Sequence, residues 1–136
     1  MKAQDAPSFT ITFNHVALSV QDIDASATFY KNILQLSEIT NRTKKPGIRW
    51  FSLGEDKELH LISTVPGKSM QNKAVHMALT TTTFSKVITA LKQLKIPYSD
   101  WVGAPNTITT RADGVKQIYF QDPDGYWIEL NSAATK

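Results

Sequence analysis

Short stretches of alternating hydrophobic and polar residues recur along the chain, and such alternation is typical of β-strands. In the first stretch, FTITFNHVALSV at residues 9–20, Val16, Leu18 and Val20 alternate with His15, Ala17 and Ser19. Pro-Gly and DPDG sequences separate several of the stretches and indicate turns. The pattern therefore predicts seven strands, over residues 9–20, 37–43, 49–53, 58–63, 75–80, 115–120 and 126–131, and some strand character in the irregular segment at 98–111.

Two other stretches show the three-to-four-residue spacing of an amphipathic helix. Residues 23–36 place Ile23, Ala27 and Tyr30 on one face, and Asp22 can cap the N-terminus. The second helix is predicted over residues 84–96, after a cap at Thr82 or Thr83 and before Pro97. Its apolar face consists of Phe84, Val87, Ile88, Leu91 and Leu94.

The two halves of the chain repeat the order βαβββ. HVALSVQDIDASATFYKNI aligns with HMALTTTTFSKVITALKQL at a spacing of 61 residues, which pairs His15 with His76. LHLIS aligns with IELNS at a spacing of 69 residues, which pairs His60 with Glu129. The repeat predicts an α+β fold of two modules, at about residues 9–67 and 73–133, packed about a pseudo-twofold axis. We expect a flexible tail over residues 1–8 and a single domain over 9–136.

Composition narrows the classes of protein that are possible. The 136 residues, 41% hydrophobic and 20% charged, suit one globular domain. The absence of cysteine excludes disulfides and thiolate chemistry, and together with the lack of a membrane-spanning apolar run it predicts a cytoplasmic protein. The net charge of +3 is small and the basic residues are dispersed, so we expect a small-molecule substrate and neither nucleic acid nor membrane as a partner.

The candidate chemistry lies in the three histidines and one glutamate at repeated positions. Every histidine of the chain falls in a predicted strand, and Glu129 occupies the position equivalent to His60. Matching positions of two modules converge near a pseudo-twofold axis, so the pattern predicts a metal bound by His15, His60, His76 and Glu129. Three imidazoles and a carboxylate suit Ni, Zn, Fe, Co or Mn and disfavour calcium. The competing interpretation is that these residues are hydrogen-bonded parts of the core.

Three segments resemble the vicinal oxygen chelate superfamily, also called the glyoxalase/bleomycin-resistance/dioxygenase superfamily. They are NHVALSVQDIDASATFYKNIL, VHMAL and the most specific one, IYFQDPDGYWIEL. The resemblance runs from about Phe13 to Asn131 and implies paired βαβββ modules that form a half-open barrel around a metal. It places the family's four ligands on His15, His60, His76 and Glu129, favours an enzyme, and implies a homodimer whose subunits can share the ligand pairs.

The resemblance also limits the choice of activity. Glyoxalase I usually has glutamate where this chain has His60, and its glutathione-binding arginine and asparagine correspond here to Ser19 and Thr64. Fosfomycin-modifying thiol transferases use three ligands, which match His15, His76 and Glu129. The first hypothesis is a metal-dependent lyase or isomerase of the glyoxalase I type, with Glu129 also moving the proton. Its substrate would bind the metal through two vicinal oxygens. The alternatives are a protein that sequesters an antibiotic or a small aromatic molecule, and an iron-dependent dioxygenase.

Overall fold

The computed structural model describes residues 7–135, and each half of the chain forms a four-stranded mixed sheet. The strands of the first half are β1 at His15–Ser19, β2 at Glu38–Ile39, β3 at Ile48–Gly54 and β4 at Lys57–Ile62. Their order in the sheet is β1-β4-β3-β2, with β1 parallel to β4 and the other neighbours antiparallel. A parallel pair needs a crossover connection, and the helix after β1 provides it.

The second sheet repeats this arrangement in the order β5-β8-β7-β6. Its strands are β5 at His76–Thr80, β6 at Thr109–Thr110, β7 at Lys116–Gln121 and β8 at Trp127–Asn131. In the register of the parallel pairs, Ala17 is opposite His60 and Ala78 is opposite Glu129. The α+β fold of two βαβββ modules is therefore confirmed. Over residues 7–135 the two sheets share no strand pairing, so the chain by itself does not close a barrel.

The helices begin where predicted but end earlier. Helix α1, Ile23–Thr28, is capped by the Asp22 carboxylate, which accepts from two backbone N–H groups at 3.1 Å. It continues as a π-helix over Phe29–Ile33 and does not reach residue 36, because Gln35 adopts a left-handed conformation with a φ of 58°. Helix α2 covers Phe84–Gln93 and ends before Pro97, since Lys95 has a φ of 57°. The remaining helical segment is a 3₁₀ turn at Ala133–Thr135.

Two strand predictions were too long. The first strand begins at His15 and not at residue 9, because its partner strand β4 begins at Lys57. Just before that residue the chain turns through Glu55 and Asp56, which cannot pair with residues 9–14. The strand predicted over 37–43 is reduced to β2, because the Asn41 amide donates to the carbonyls of Lys45 and Ile48. Side-chain bonds of this kind replace the ladder with a turn. Of the predicted tail, residues 1–6 lie outside the described residues, as does Lys136.

A shared core joins the two modules. Buried side chains from both sheets and both helices form one cluster, in which the Phe29 and Phe120 rings lie 6.4 Å apart.

The DPDG turn, predicted only to set the last hairpin, also docks on the first module. Within it, the Asp122 carboxylate accepts from the Tyr30 hydroxyl at 2.7 Å. Burial raises the pKa of both of these groups. No helix in the described part of the chain is long and apolar enough to cross a membrane.

Candidate metal centre

The first pair of predicted ligands, His15 and His60, comes together on the first sheet. His15 opens β1 and His60 lies on the adjacent β4, and their rings stack with centroids 4.1 Å apart. The alternation of β4 sends its neighbours Leu59 and Leu61 to the opposite face, where both are fully buried in the core. His60 is 8% exposed, whereas His15 is exposed, so this pair lies at the rim of the sheet.

Glu58 and Trp50 hold His60 in place, and Arg42 contacts both of them. Its Nε2 donates to the Glu58 carboxylate at 2.9 Å, and its ring stacks on Trp50 with centroids 3.9 Å apart. Arg42 donates to the same carboxylate at 3.2 Å and lies 4.8 Å from the centre of the Trp50 ring. The hydrogen bond from His60, together with that from Arg42, lowers the pKa of Glu58. A carboxylate that is ionised at neutral pH therefore fixes the orientation of the His60 ring.

The second pair, His76 and Glu129, comes together on the second sheet. His76 opens β5, and its Nε2 lies 3.3 Å from Glu129 Oε1 on the adjacent β8. The other ring nitrogen, Nδ1, donates to the backbone carbonyl of Lys73 at 2.9 Å. The Tyr119 ring meets the His76 ring edge-on with centroids 5.5 Å apart. The arrangement directs the Nε2 atom of His76 towards the carboxylate.

Glu129 is 7% exposed and is held by three side-chain donors. The Tyr119 hydroxyl donates to Oε1 at 3.0 Å, and Gln117 and Asn131 donate to Oε2 at 3.1 and 2.8 Å. Burial opposes ionisation, but these hydrogen bonds and the charge of His76 lower the pKa of Glu129 below its ordinary value. Burial and the bond to Glu129 raise the pKa of Tyr119 to about 12, so its hydroxyl remains a donor at neutral pH.

The hydrogen-bond partners of the histidines suit metal binding. His15 Nδ1 lies 2.7 Å from the side-chain oxygen of Asn14, so each of the three histidines has a ring nitrogen beside an outer acceptor, and the second ring nitrogen of His76 faces Glu129. A neutral imidazole that donates through one nitrogen keeps its lone pair on the other. Histidines that bind metals usually have an outer acceptor of this kind. His15 and His76 thereby present Nε2, whereas His60 presents Nδ1. The donor set of three imidazoles and one ionised carboxylate fits a divalent transition metal.

The four residues meet as two pairs and not as one cluster. Among residues 7–135 the structure contains no group of three or more His, Asp or Glu side chains placed to hold one metal ion. The reason is topological, since one pair lies on each sheet and the two sheets are not joined edge to edge. The four-ligand site therefore stays a prediction.

The chain belongs to the glyoxalase/bleomycin resistance protein/dioxygenase superfamily, whose family model matches residues 12–130. The chain is 30% identical over 129 residues to the metallothiol transferase FosB of Staphylococcus epidermidis. That alignment covers 90% of this chain and 82% of the relative. The superfamily includes metal-dependent enzymes such as FosB.

Solved structures of the same superfamily share the fold. A glyoxalase/dioxygenase from Nostoc punctiforme superposes with a TM-score of 0.73 at 24% identity, over 94% of this chain and 98% of that one. The lactoylglutathione lyase of Agrobacterium tumefaciens gives a TM-score of 0.67 at 21% identity, over 94% and 96% of the two chains. At these identities the likeness shows the common architecture of two βαβββ modules.

Several residues around the site were not among those predicted from the sequence. Glu58 and Lys73 are charged residues in or beside strands and carry no signal that separates them from surface charges. Tyr119 and Asn131 alternate with core residues of β7 and β8, and their position opposite or beside Glu129 could have indicated them. Trp101 lies in an irregular segment, and only the fold brings it to His76, at a ring distance of 6.0 Å.

Proposed function

We propose that this protein is a divalent-metal-dependent lyase or isomerase of the glyoxalase I type. Its substrate is a small molecule that binds the metal through two neighbouring oxygens. The observation that carries the proposal is the equivalent register of the two pairs, with His15 and His60 on one sheet and His76 and Glu129 on the other. Ni, Zn, Fe, Co or Mn suits this set of ligands.

The residues have distinct roles in this proposal. His15, His60 and His76 hold the metal through the ring nitrogens that face away from Asn14, Glu58 and the Lys73 carbonyl. A divalent metal bound there supplies Lewis-acid chemistry to a coordinated carbonyl group. Glu129 is the fourth ligand, and as an ionised carboxylate it also accepts the substrate proton and returns it. Its lowered pKa keeps it ionised at neutral pH, as metal binding requires.

The complete site needs a second subunit, so the protein acts as a homodimer. Strands β1 and β5 each form one edge of a sheet, and among the described strands neither has a partner on its outer side. The two strands also line an open cleft of about 1300 Å³, to which Val16, Leu18, Met77 and Leu79 contribute apolar side chains. A second copy of the chain covers these edges and brings its own His76 and Glu129 beside His15 and His60.

Mixed dimers test both the metal site and its assembly. One variant carries His15→Ala and His60→Ala, and the other carries His76→Ala and Glu129→Ala. Each variant alone should bind no metal at this site. After the two are unfolded and refolded together, random pairing should restore metal to about one quarter of the sites, because half of the dimers then contain one intact site of two. Metal content is measured by mass spectrometry of the dialysed protein.

The outcomes separate the parts of the proposal. If wild-type protein binds metal but mixing restores none, the ligands come together within one chain and the shared site is wrong. If wild-type protein holds no metal after exposure to each of the five ions, the enzyme proposal fails and a binding protein takes its place. Light scattering that gives the mass of a monomer at micromolar concentration would exclude the dimer.

A second candidate function is metal-dependent thiol transfer, which the relative named metallothiol transferase favours. The structural observation in its favour is that Glu58 already engages the Nε2 atom of His60, which leaves His15, His76 and Glu129 as a set of three ligands. His60→Ala distinguishes the two candidates. Under thiol transfer this variant keeps its metal, and activity depends on an added thiol. Under the first proposal the variant loses affinity for the metal.

A further inference from the structure

Trp101 is the one exposed tryptophan of the three in the chain, and it lies beside the second pair of ligands. It is 47% exposed, whereas Trp50 is 7% exposed and Trp127 is half-buried. Its ring centre is 6.0 Å from that of His76 and 5.3 Å from that of Tyr119. Because Tyr119 donates to Glu129, the indole borders the face on which His76 and Glu129 meet.

The loop that carries this exposed ring is fixed. The Lys73 ammonium donates to the carbonyls of Asp100 and Trp101 at 2.8 and 2.9 Å, and it lies 5.6 Å from the centre of the indole. The Asp100 carboxylate accepts from the backbone N–H groups of Gly103 and Ala104. A rigid aromatic side chain loses little conformational entropy when a ligand packs on it, so it is well suited to recognition.

The tryptophan of the first half, Trp50, offers no comparable surface. Trp50 is nearly buried, with His60 stacked on it at 3.9 Å and the Arg42 guanidinium 4.8 Å from its ring centre. Its ring is therefore occupied by the protein itself. Of these two tryptophans, only Trp101 offers an open ring surface to an apolar part of a substrate, and it lies on the side of His76 and Glu129.

We propose that Trp101 forms an aromatic wall of the substrate pocket, and that the substrate carries a planar apolar group next to its two metal-binding oxygens. The proposal rests on the metal site described above and adds the class of substrate. A planar group bound through the metal at His76 would lie within reach of the indole, and stacked or edge-to-face contacts between aromatic rings are favourable beyond the area that they bury. Trp101 acts here as a specificity-determining residue.

Two small chelators provide the test. Acetohydroxamate and benzohydroxamate both bind a metal through two neighbouring oxygens, and only the second carries a phenyl ring. Their affinities are measured by calorimetry on the protein loaded with Zn²⁺, and in parallel with Ni²⁺. The preference is the ratio of the affinity for benzohydroxamate to the affinity for acetohydroxamate. This ratio should be on the order of tenfold larger in wild-type protein than in Trp101→Ala. Trp101→Phe should keep most of that preference.

The control is Val102→Ala, which removes an apolar side chain that is 85% exposed next to Trp101 and should leave the preference unchanged. An equal preference for benzohydroxamate in wild-type protein and Trp101→Ala would contradict the proposal that Trp101 contacts the substrate. If neither chelator binds wild-type protein with either metal, the proposed metal site is wrong and the inference falls with it. If Trp101→Ala converts the dimer to monomer in light scattering, the indole is an interface residue and the proposal is also overturned.

Discussion

The two halves of the candidate site occupy equivalent positions in their sheets, yet they are held by different means. In the second half, Glu129 is buried and accepts from three side chains, and His76 is fixed through Nδ1. In the first half, His15 is exposed and is held by Asn14 and by its stack on His60. The comparison teaches that an internal repeat can place candidate ligands at equivalent strand positions and still give them different hydrogen-bond partners and different burial. Both pairs form within the single chain, and the difference lies mainly in His15, whose side chain is exposed.

The largest effect expected from this difference concerns Glu129→Gln. Glutamine is nearly isosteric and can still bind a metal weakly, but it cannot accept a proton at neutral pH. Activity should fall by roughly 100-fold or more, as for the loss of a general base. His60→Gln should be milder, because glutamine remains a neutral ligand and no proton transfer is assigned to His60. The rate constant kcat is compared at equal metal occupancy on whichever substrate proves active, and equal losses would leave Glu129 as one ligand among four.

The next effect concerns the groups that orient the ligands. Tyr119→Phe removes the hydroxyl that donates to Glu129 at 3.0 Å, and outer partners of this kind typically contribute roughly 10- to 100-fold to metal affinity. Asn14→Ala removes the acceptor of His15 on an exposed rim, where water can replace it, so the loss should be only about threefold. Both affinities are measured by competition with a chromogenic chelator. A loss in Asn14→Ala as large as in Tyr119→Phe would remove the distinction between a preformed and an exposed half.

The strand positions of the four candidate ligands could be predicted from the sequence because they follow from local periodicity. The alternation around His15 and His76 predicts strands, and the repeat places His60 and Glu129 at matching positions, which the register of Ala17 with His60 and Ala78 with Glu129 confirms. The surroundings could not be predicted. The bond from Lys73 to Trp101 and the contact of Trp101 with His76 join residues 28 and 25 positions apart, and such contacts exist only after the sheet forms.

The predicted ends of the strands and helices were wrong for a related physical reason. Residues 9–14 have the alternation of a strand, but the neighbouring β4 starts too late to pair with them. The π-helical turn at Phe29–Ile33 likewise has no signal in the apolar spacing. Whether the four ligands converge depends on how two modules meet, and periodicity within one module carries no information on that.

A smaller effect is expected where the second module docks on the first. Tyr30→Phe removes the hydroxyl that donates to the buried Asp122 carboxylate at 2.7 Å and leaves that oxygen without its side-chain donor. The free energy of unfolding should fall by about 1.5 kcal/mol. Urea denaturation measures this loss. In an Asp122→Asn background the same substitution should cost less, because no buried charge then loses its partner, and an unchanged cost would show that the loss comes from packing of the ring.

The smallest effect is expected for an ion pair on the first module, because its two charged side chains are more exposed to solvent than the Asp122 carboxylate. Arg49 donates to both carboxylate oxygens of Glu38 at 2.8 Å, and the two side chains are 33% and 28% exposed. Because solvent screens the pair, Glu38→Gln should lower the free energy of unfolding by only about 0.5 kcal/mol at about pH 7.

The pH dependence of that effect has a definite sign. The hydrogen bond from Arg49 lowers the pKa of Glu38 below its ordinary value of 4.5. A group whose pKa is lower in the folded state stabilises the protein above its unfolded pKa and loses that contribution as the pH falls through the folded value. The difference between wild-type protein and Glu38→Gln should therefore be present at about pH 7 and shrink towards about pH 3. Urea titrations at both pH values measure it. A difference that grows on acidification would mean that the ion pair does not stabilise the fold, and the contrast between buried charges in the second module and solvent-screened charges in the first would then lose its energetic basis.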